Sequence, residues 1–280
     1  MSEMEAENSE FDIGNLIADS YIYEARRNGI DDIDVALVGL GTIRDSISAG
    51  DVCLSDAFRF CSLGVGEDGS AGHPLLTAYI TGRELKLLTE LDASLGPLVS
   101  YIRMSYSGLT YSYNPRRALL DRVEDVRLVK MKSDSSIASP LSGDAELESI
   151  EDDKLYKVCC NMYAANMLGM LNGLTKGILS IEPKNADGTP IEDFYDVTMR
   201  DKKGEEIKEW VAFKNYLEAY PEGIPEEYNT PQGRKIRNEN FLTSWTHPGT
   251  SAIIIVAVVL VLQFVLILII AGIRNKKLFQ

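Results

Sequence analysis

The stretch that decides the fold is Ile33-Asp34-Val35-Ala36-Leu37-Val38-Gly39-Leu40-Gly41-Thr42-Ile43-Arg44. Its apolar run, Val35 to Val38, reads as a largely buried strand, and the glycines that follow let the backbone approach whatever lies at the strand's end. Working outward, Ile13, Leu16, Ile17 and Ala25 recur at helical spacing from Asp12, and Asn28-Gly29 supplies a stop, so an amphipathic helix precedes the strand. Downstream, Thr81-Gly82-Arg83-Glu84 fits a capping box, with Leu85, Leu88 and Leu91 as the helix's inner stripe. Alternating segments at 101–106 and 122–131 read as strands. Residues 133–153 are polar and acidic and read as a flexible loop. Order resumes with a strand at 154–160 and an apolar helix at 163–174. A last helix near 205–220 carries Trp210, Phe213 and Leu217 on one face. Helices and strands mix without a strict strand-helix-strand rhythm, which argues for an α+β domain.

Composition narrows the function. The chain has 280 residues, with 42 acidic and 28 basic side chains, two histidines and a formal net charge of −14. An acidic surplus of that size does not suit a protein that neutralises the phosphates of DNA or RNA, so no nucleic-acid partner is expected. Two histidines leave little for a His-rich metal centre. The cysteines, Cys53, Cys61, Cys159 and Cys160, show no metal-ligand spacing and read as buried thiols rather than a disulfide framework.

From Ala252 to Ile273 the only strongly polar side chain is Gln263. A helix of that length spans roughly 33 Å, enough for a hydrocarbon core of about 30 Å, so a single transmembrane helix is expected over 251–273. Arg274, Lys276 and Lys277 follow it, whereas the nearest basic residues before it are Arg234, Lys235 and Arg237. By the positive-inside rule the tail, 274–280, lies in the cytoplasm and the large domain outside a cell membrane. The first residues carry neither a basic n-region nor an apolar h-region. Either the chain is tail-anchored against its flanking charges, or an N-terminal part with the signal is missing; the second is preferred.

The search for catalytic chemistry returns little. With only His73 and His247, a dinuclear phosphatase centre cannot be assembled. His73, in the turn-like Gly69-Ser70-Ala71-Gly72-His73-Pro74, reads as a solvated loop histidine. No GxSxG, HExxH or GxxxxGK[ST] motif is present.

Taken in order, Gly14-Asn15-Leu16-Ile17-Ala18-Asp19, the strand into Gly39-Leu40-Gly41-Thr42-Ile43-Arg44, Ile47-Ser48-Ala49-Gly50-Asp51-Val52 and Asp56-Ala57-Phe58 resemble the C-terminal domain of the 5′-nucleotidase family. The family's pattern is GNLxAD, a strand into NGGxIR, xxIxxGxI and a DxF helix start. Residues 76–88 and 156–163 resemble its later strand, helix and last core strand. The resemblance implies a mixed-sheet domain that grips a nucleotide or nucleoside, while a separate metallophosphoesterase domain, encoded upstream, binds two divalent metals and hydrolyses the phosphate. On that reading this chain needs no cofactor, holds no metal and has no catalytic residue of its own.

The resemblance also implies which residues bind. Arg44 matches the family's ligand-contacting arginine, and a guanidinium suits phosphate or ribose oxygens. Gly39 stands where the family has the motif's asparagine. Leu63, in Ser62-Leu63-Gly64, aligns with the first base-stacking phenylalanine, and Tyr163 aligns with the second. Met167-Leu168-Gly169-Met170 replaces the family's GGDG turn, which puts Gly169 at the base-reading aspartate. The expected organisation is therefore an acidic N-terminus at 1–11, a 5′-nucleotidase C-terminal-like domain at 12–220, a stalk at 221–250, the membrane span and the basic tail. The expected function is the nucleotide-binding half of a nucleotide-catabolising hydrolase. The alternative is a degenerate, non-catalytic surface module used for scaffolding or partner binding.

Overall fold

The computed structural model describes residues 12–45, 50, 52–131, 140–175 and 179–240. Helix α1 (Asp12–Arg27) leads into β1 (Val35–Gly39), a 3-10 turn at Leu40–Thr42, and α2 (Leu54–Phe60). Strand β2 (Leu75–Thr81) runs directly into α3 (Gly82–Leu95), and a 3-10 turn at Ser100–Ile102 precedes β3 (Met104–Ser107). Then come β4 (Leu109–Tyr113), β5 (Val123–Met131), β6 (Ala145–Ser149), β7 (Leu155–Asn161) and α4 (Met162–Thr175). Helix α5 (Glu209–Glu218) and the short β8 (Lys235–Arg237) complete the fold.

Among the described residues eight strands form two sheets. The first has the order β2-β7-β1-β3, with β1 parallel to β7 (Val35 opposite Val158) and antiparallel to β3 (Gly39 opposite Met104). The second has the order β6-β5-β4-β8. The apolar run of β1 follows from burial on both faces: Val35 and Leu37 join a core with α3 and α4, while Ala36 and Val38 join a core with α1, α2 and α5. Strand β7 divides in the same way, with Val158 and Cys160 on the first face and Cys159 on the second.

The α+β arrangement agrees with the expected domain, but the fold class needs a correction at its C-terminal end. Among the described residues no helix is long and apolar enough to cross a membrane, and the span placed at 251–273 lies outside those residues. The N-terminus at 1–11 and the tail at 274–280 also lie outside them.

Residues 221–240, read as the start of a stalk, are instead built into the body. Arg234 is fully buried, and β8 pairs in parallel with β4, Tyr111 opposite Lys235. Pro, Gly and Glu content marks this segment as irregular, but its few large polar side chains reach buried partners. The acidic stretch 133–153 likewise contains β6, which pairs with β5 through Val129 and Leu147. The strand expected at 101–106 begins late, because residues 100–102 turn before β3. Helix α5 is shorter than its expected 205–220, since Glu206 and Lys208 are spent on extended bridges to Arg200 and Pro74. Cys61, Cys159 and Cys160 are buried free thiols, whereas Cys53 is exposed at the start of α2.

Candidate functional site

Sheet register brings four loops to one end of the first sheet. Strands β1 and β7 run parallel and deliver Gly39-Leu40-Gly41 and Tyr163 at their carboxyl ends. Strands β2 and β3 run the opposite way and start there, so His73 just before β2 and Tyr101 just before β3 arrive at the same end. The strand order then sets the residues side by side as His73, Tyr163, Gly41, Tyr101. A crevice beyond the carboxyl ends of parallel strands is the usual place for a ligand in such sheets.

The contacts follow this order. A side chain at Gly41 would meet Tyr101 at 3.2 Å and the Tyr163 hydroxyl at 3.5 Å, so the missing Cβ keeps the space between the two tyrosines open. On the other side of Tyr163 the His73 ring lies 6.0 Å away, tilted by 44°. His73 in turn lies against Gly64, where a Cβ would come within 2.2 Å of Nδ1. Gly64 has φ +80°, so both backbone conformation and space demand glycine there.

Each residue singled out in the sequence can now be placed. Gly39 and Tyr163 line one cavity of about 390 Å³. Arg44 follows the 3-10 turn, with its backbone N–H donating to the Phe60 carbonyl at 3.0 Å, and its side chain is exposed. Leu63 is half-buried in the turn beneath His73; neither it nor Arg44 lines the cavity. Residues 46–49 and 51 of the xxIxxGxI stretch lie outside the described residues, and Gly169 is described only as part of the α4 backbone.

The sequence reading missed His73 and Tyr101. His73 is half-buried against Gly64 and Tyr163 rather than solvated. Burial and the Lys208 charge push its pKa below the ordinary value, so it is neutral at pH 7. Its loop is fixed from outside the matched motifs. The buried Lys208 ammonium pairs with Asp68 at 2.8 Å and with Glu206, and Trp210 Nε1 donates to the Ala71 carbonyl at 3.0 Å. Only the glycines flanking His73 hinted at close packing in the sequence. Among the described residues no group of three His, Cys, Asp or Glu side chains converges to hold a metal ion, so the residues present do not fit the family's two-metal centre.

The family model for the 5′-nucleotidase C-terminal domain matches residues 1–173. The chain belongs to that family. Among solved structures the family resemblance is one of fold. A 5′-nucleotidase precursor from Thermus thermophilus is 20% identical with a TM-score of 0.54, and the match covers 83% of this chain and 36% of that one. The NAD nucleotidase of Haemophilus influenzae is 18% identical with a TM-score of 0.45, covering 82% of this chain and 33% of that one. A 5′-nucleotidase structure from Staphylococcus aureus is 14% identical with a TM-score of 0.44, covering 81% and 36%. The chain thus spans about a third of the length of the structures it resembles. No curated protein matches it.

Proposed function

We propose that this chain supplies the nucleotide-binding half of a nucleotide hydrolase and leaves metal-dependent phosphate hydrolysis to a separate catalytic domain. The observation that carries the reading is the convergence of the Gly39–Arg44 segment and Tyr163 at the carboxyl ends of β1 and β7. Tyr163 offers a ring on which a base stacks, worth about 1–3 kcal/mol. Arg44 offers an exposed guanidinium that bonds to no described residue and suits a phosphate or ribose oxygen. On this reading the chain's own contribution is to bind and orient.

Titration calorimetry of the full chain with AMP and adenosine tests the reading. Arg44→Ala should weaken AMP about tenfold, in line with loss of a charge-assisted hydrogen bond, and should weaken adenosine less. Tyr163→Ala should weaken both. Absence of binding, or binding indifferent to both substitutions, would sink the proposal.

A second reading has its own support. His73 fills the space between Gly64 and Tyr163, and Leu63 in the same turn brings no aromatic ring. That favours a non-catalytic module in which one face of the base site has been given over to internal packing. The same calorimetry separates the two, since this reading expects no response to either ligand.

A further inference from the structure

The cavity beside Tyr163 is not the space filled by His73. Its walls come from the opposite side, from β1 (Leu37), the C-terminal part of α3 (Leu91, Leu95) and the start of β3 (Met104). Helix α4 closes it with Ala164, Met167 and Leu168, and Tyr101 and Tyr163 stand on its border. Tyr101 is 54% exposed and so marks the mouth.

Three features separate this space from a packing defect. The first is size. At about 390 Å³ the cavity offers room for a small molecule rather than for a single water. The second is chemistry. No charged, amide or Ser/Thr side chain lines the cavity among the described residues, so waters there would find few of the two to four polar partners each needs. The third is how the cavity arises. The inner stripe of α3 packs fully at Leu85 and Leu88, but Leu95, two turns later, is only half-buried and borders the cavity. At the opposite wall Gly39 and Gly41 withhold side chains where β1 ends, and a Cβ at Gly41 would crowd Tyr101 and the Tyr163 hydroxyl.

We propose that this cavity binds a neutral, largely apolar small molecule of ring character, with the Tyr101 and Tyr163 hydroxyls as its polar contacts. The lining excludes a charged group, which would be stripped of water with no opposite charge to meet it. Met104 and Met167 adapt to ring edges, and the tyrosine rings offer flat faces. The volume falls within the range of small-molecule sites. This site adjoins the nucleotide reading and shares Tyr163 and Gly39 with it, but Arg44 and Leu63 do not line it.

Photolabelling with hydroxymethyl-benzophenone, a neutral two-ring probe with one hydroxyl, tests the assignment on the full chain. Its excited ketone inserts readily at methionine side chains, so Met104 and Met167 report occupancy when the adducts are mapped by mass spectrometry. The expected result is saturable labelling at one or both, unchanged by excess AMP and reduced at least tenfold by Ala164→Phe, which fills the space from α4. Circular dichroism and thermal unfolding check that this variant is folded. Should it not fold, Met167→Glu, at a half-buried position, places a charge in the cavity and should reduce Met104 labelling to the same degree. Labelling spread over the surface, labelling indifferent to the folded variant, or protection by AMP would each overturn the proposal. AMP calorimetry reads the nucleotide site independently, so failure of one assignment is distinguishable from failure of the other.

Discussion

Glu209 is the side chain whose environment departs furthest from its sequence context. An acid in the first turn of a helix ordinarily faces water and favours the helix dipole. Here it is fully buried, and its Oε2 accepts from both the Tyr21 hydroxyl at 2.8 Å and Asn161 Nδ2, while Oε1 has no hydrogen-bond partner. Burial pushes its pKa up to about 7, against the downward pull of the bonds from Asn161 and Tyr21. The sign follows from linkage. The folded state holds this proton more tightly than the unfolded state, so the associated stability is present below the ordinary glutamate pKa and is lost as pH rises through about 7. Glu209→Gln should keep both accepted bonds through its amide oxygen and remove this slope. The wild type should lose up to about 3 kcal/mol relative to the variant between pH 4 and pH 8, read from urea midpoints at each pH. Parallel pH profiles for the two proteins would refute the assignment. None of this was visible in the sequence, because Tyr21 and Asn161 lie 188 and 48 positions away. The inner face of α5 is accordingly Glu209, Ala212, Phe213 and Tyr216, turned from the expected Trp210, Phe213 and Leu217 stripe.

At the scale of elements, legibility tracks how local the determining contacts are. Helix α3 was readable because its start is encoded within four residues. Thr81 Oγ1 accepts from the Glu84 N–H at 3.3 Å, and Glu84 Oε2 accepts from the Thr81 N–H at 2.7 Å. The strands β1 and β7 were readable for a related reason, since burial on both faces leaves an apolar run. Strand β8 was not: three residues, Lys235-Ile236-Arg237, carry no alternation, and their register depends on β4 more than a hundred residues earlier. Even the readable capping box has a non-local part. Glu84 Oε1 also accepts from Lys184 Nζ at 2.9 Å and from the Glu182 N–H at 2.8 Å, which fastens the segment after α4 onto the start of α3. Thr81→Ala should therefore cost about 1 kcal/mol, the usual loss for a helix cap. Glu84→Ala should cost clearly more, because it also takes the carboxylate from the mostly buried Lys184 ammonium and the acceptor from the Glu182 N–H. Equal costs in denaturant titrations would show that the box acts only locally.

For the whole molecule, the boundary of the matched motifs and the boundary of the folding unit do not coincide. The family model ends at residue 173, whereas the fold likeness to the Thermus thermophilus structure covers 83% of the chain, more than those residues alone. The side chains explain the difference. Asn15 donates to Gln232 at 3.1 Å, and Asp19, at the end of the GNLxAD stretch, pairs with Arg234 at 2.6 Å and accepts from Tyr228 at 2.6 Å. Asp92 on α3 pairs with Lys235 at 2.7 Å, and Asn161 at the end of β7 donates to Glu209. Every one of these partners from the later segment is buried, and Phe213 and Tyr216 complete the core over α1. Removing that segment would leave several buried polar groups without partners at about 1–3 kcal/mol each, and two buried carboxylates without cations at about 3–5 kcal/mol each. The sum is comparable with the roughly 5–15 kcal/mol by which a domain is stable. A chain ending at residue 240 should accordingly show one sigmoidal urea transition, and a chain ending at residue 178 should show none. Cooperative unfolding of the shorter chain at a comparable midpoint would mean that the buried ion pairs decorate an already complete domain rather than hold it together.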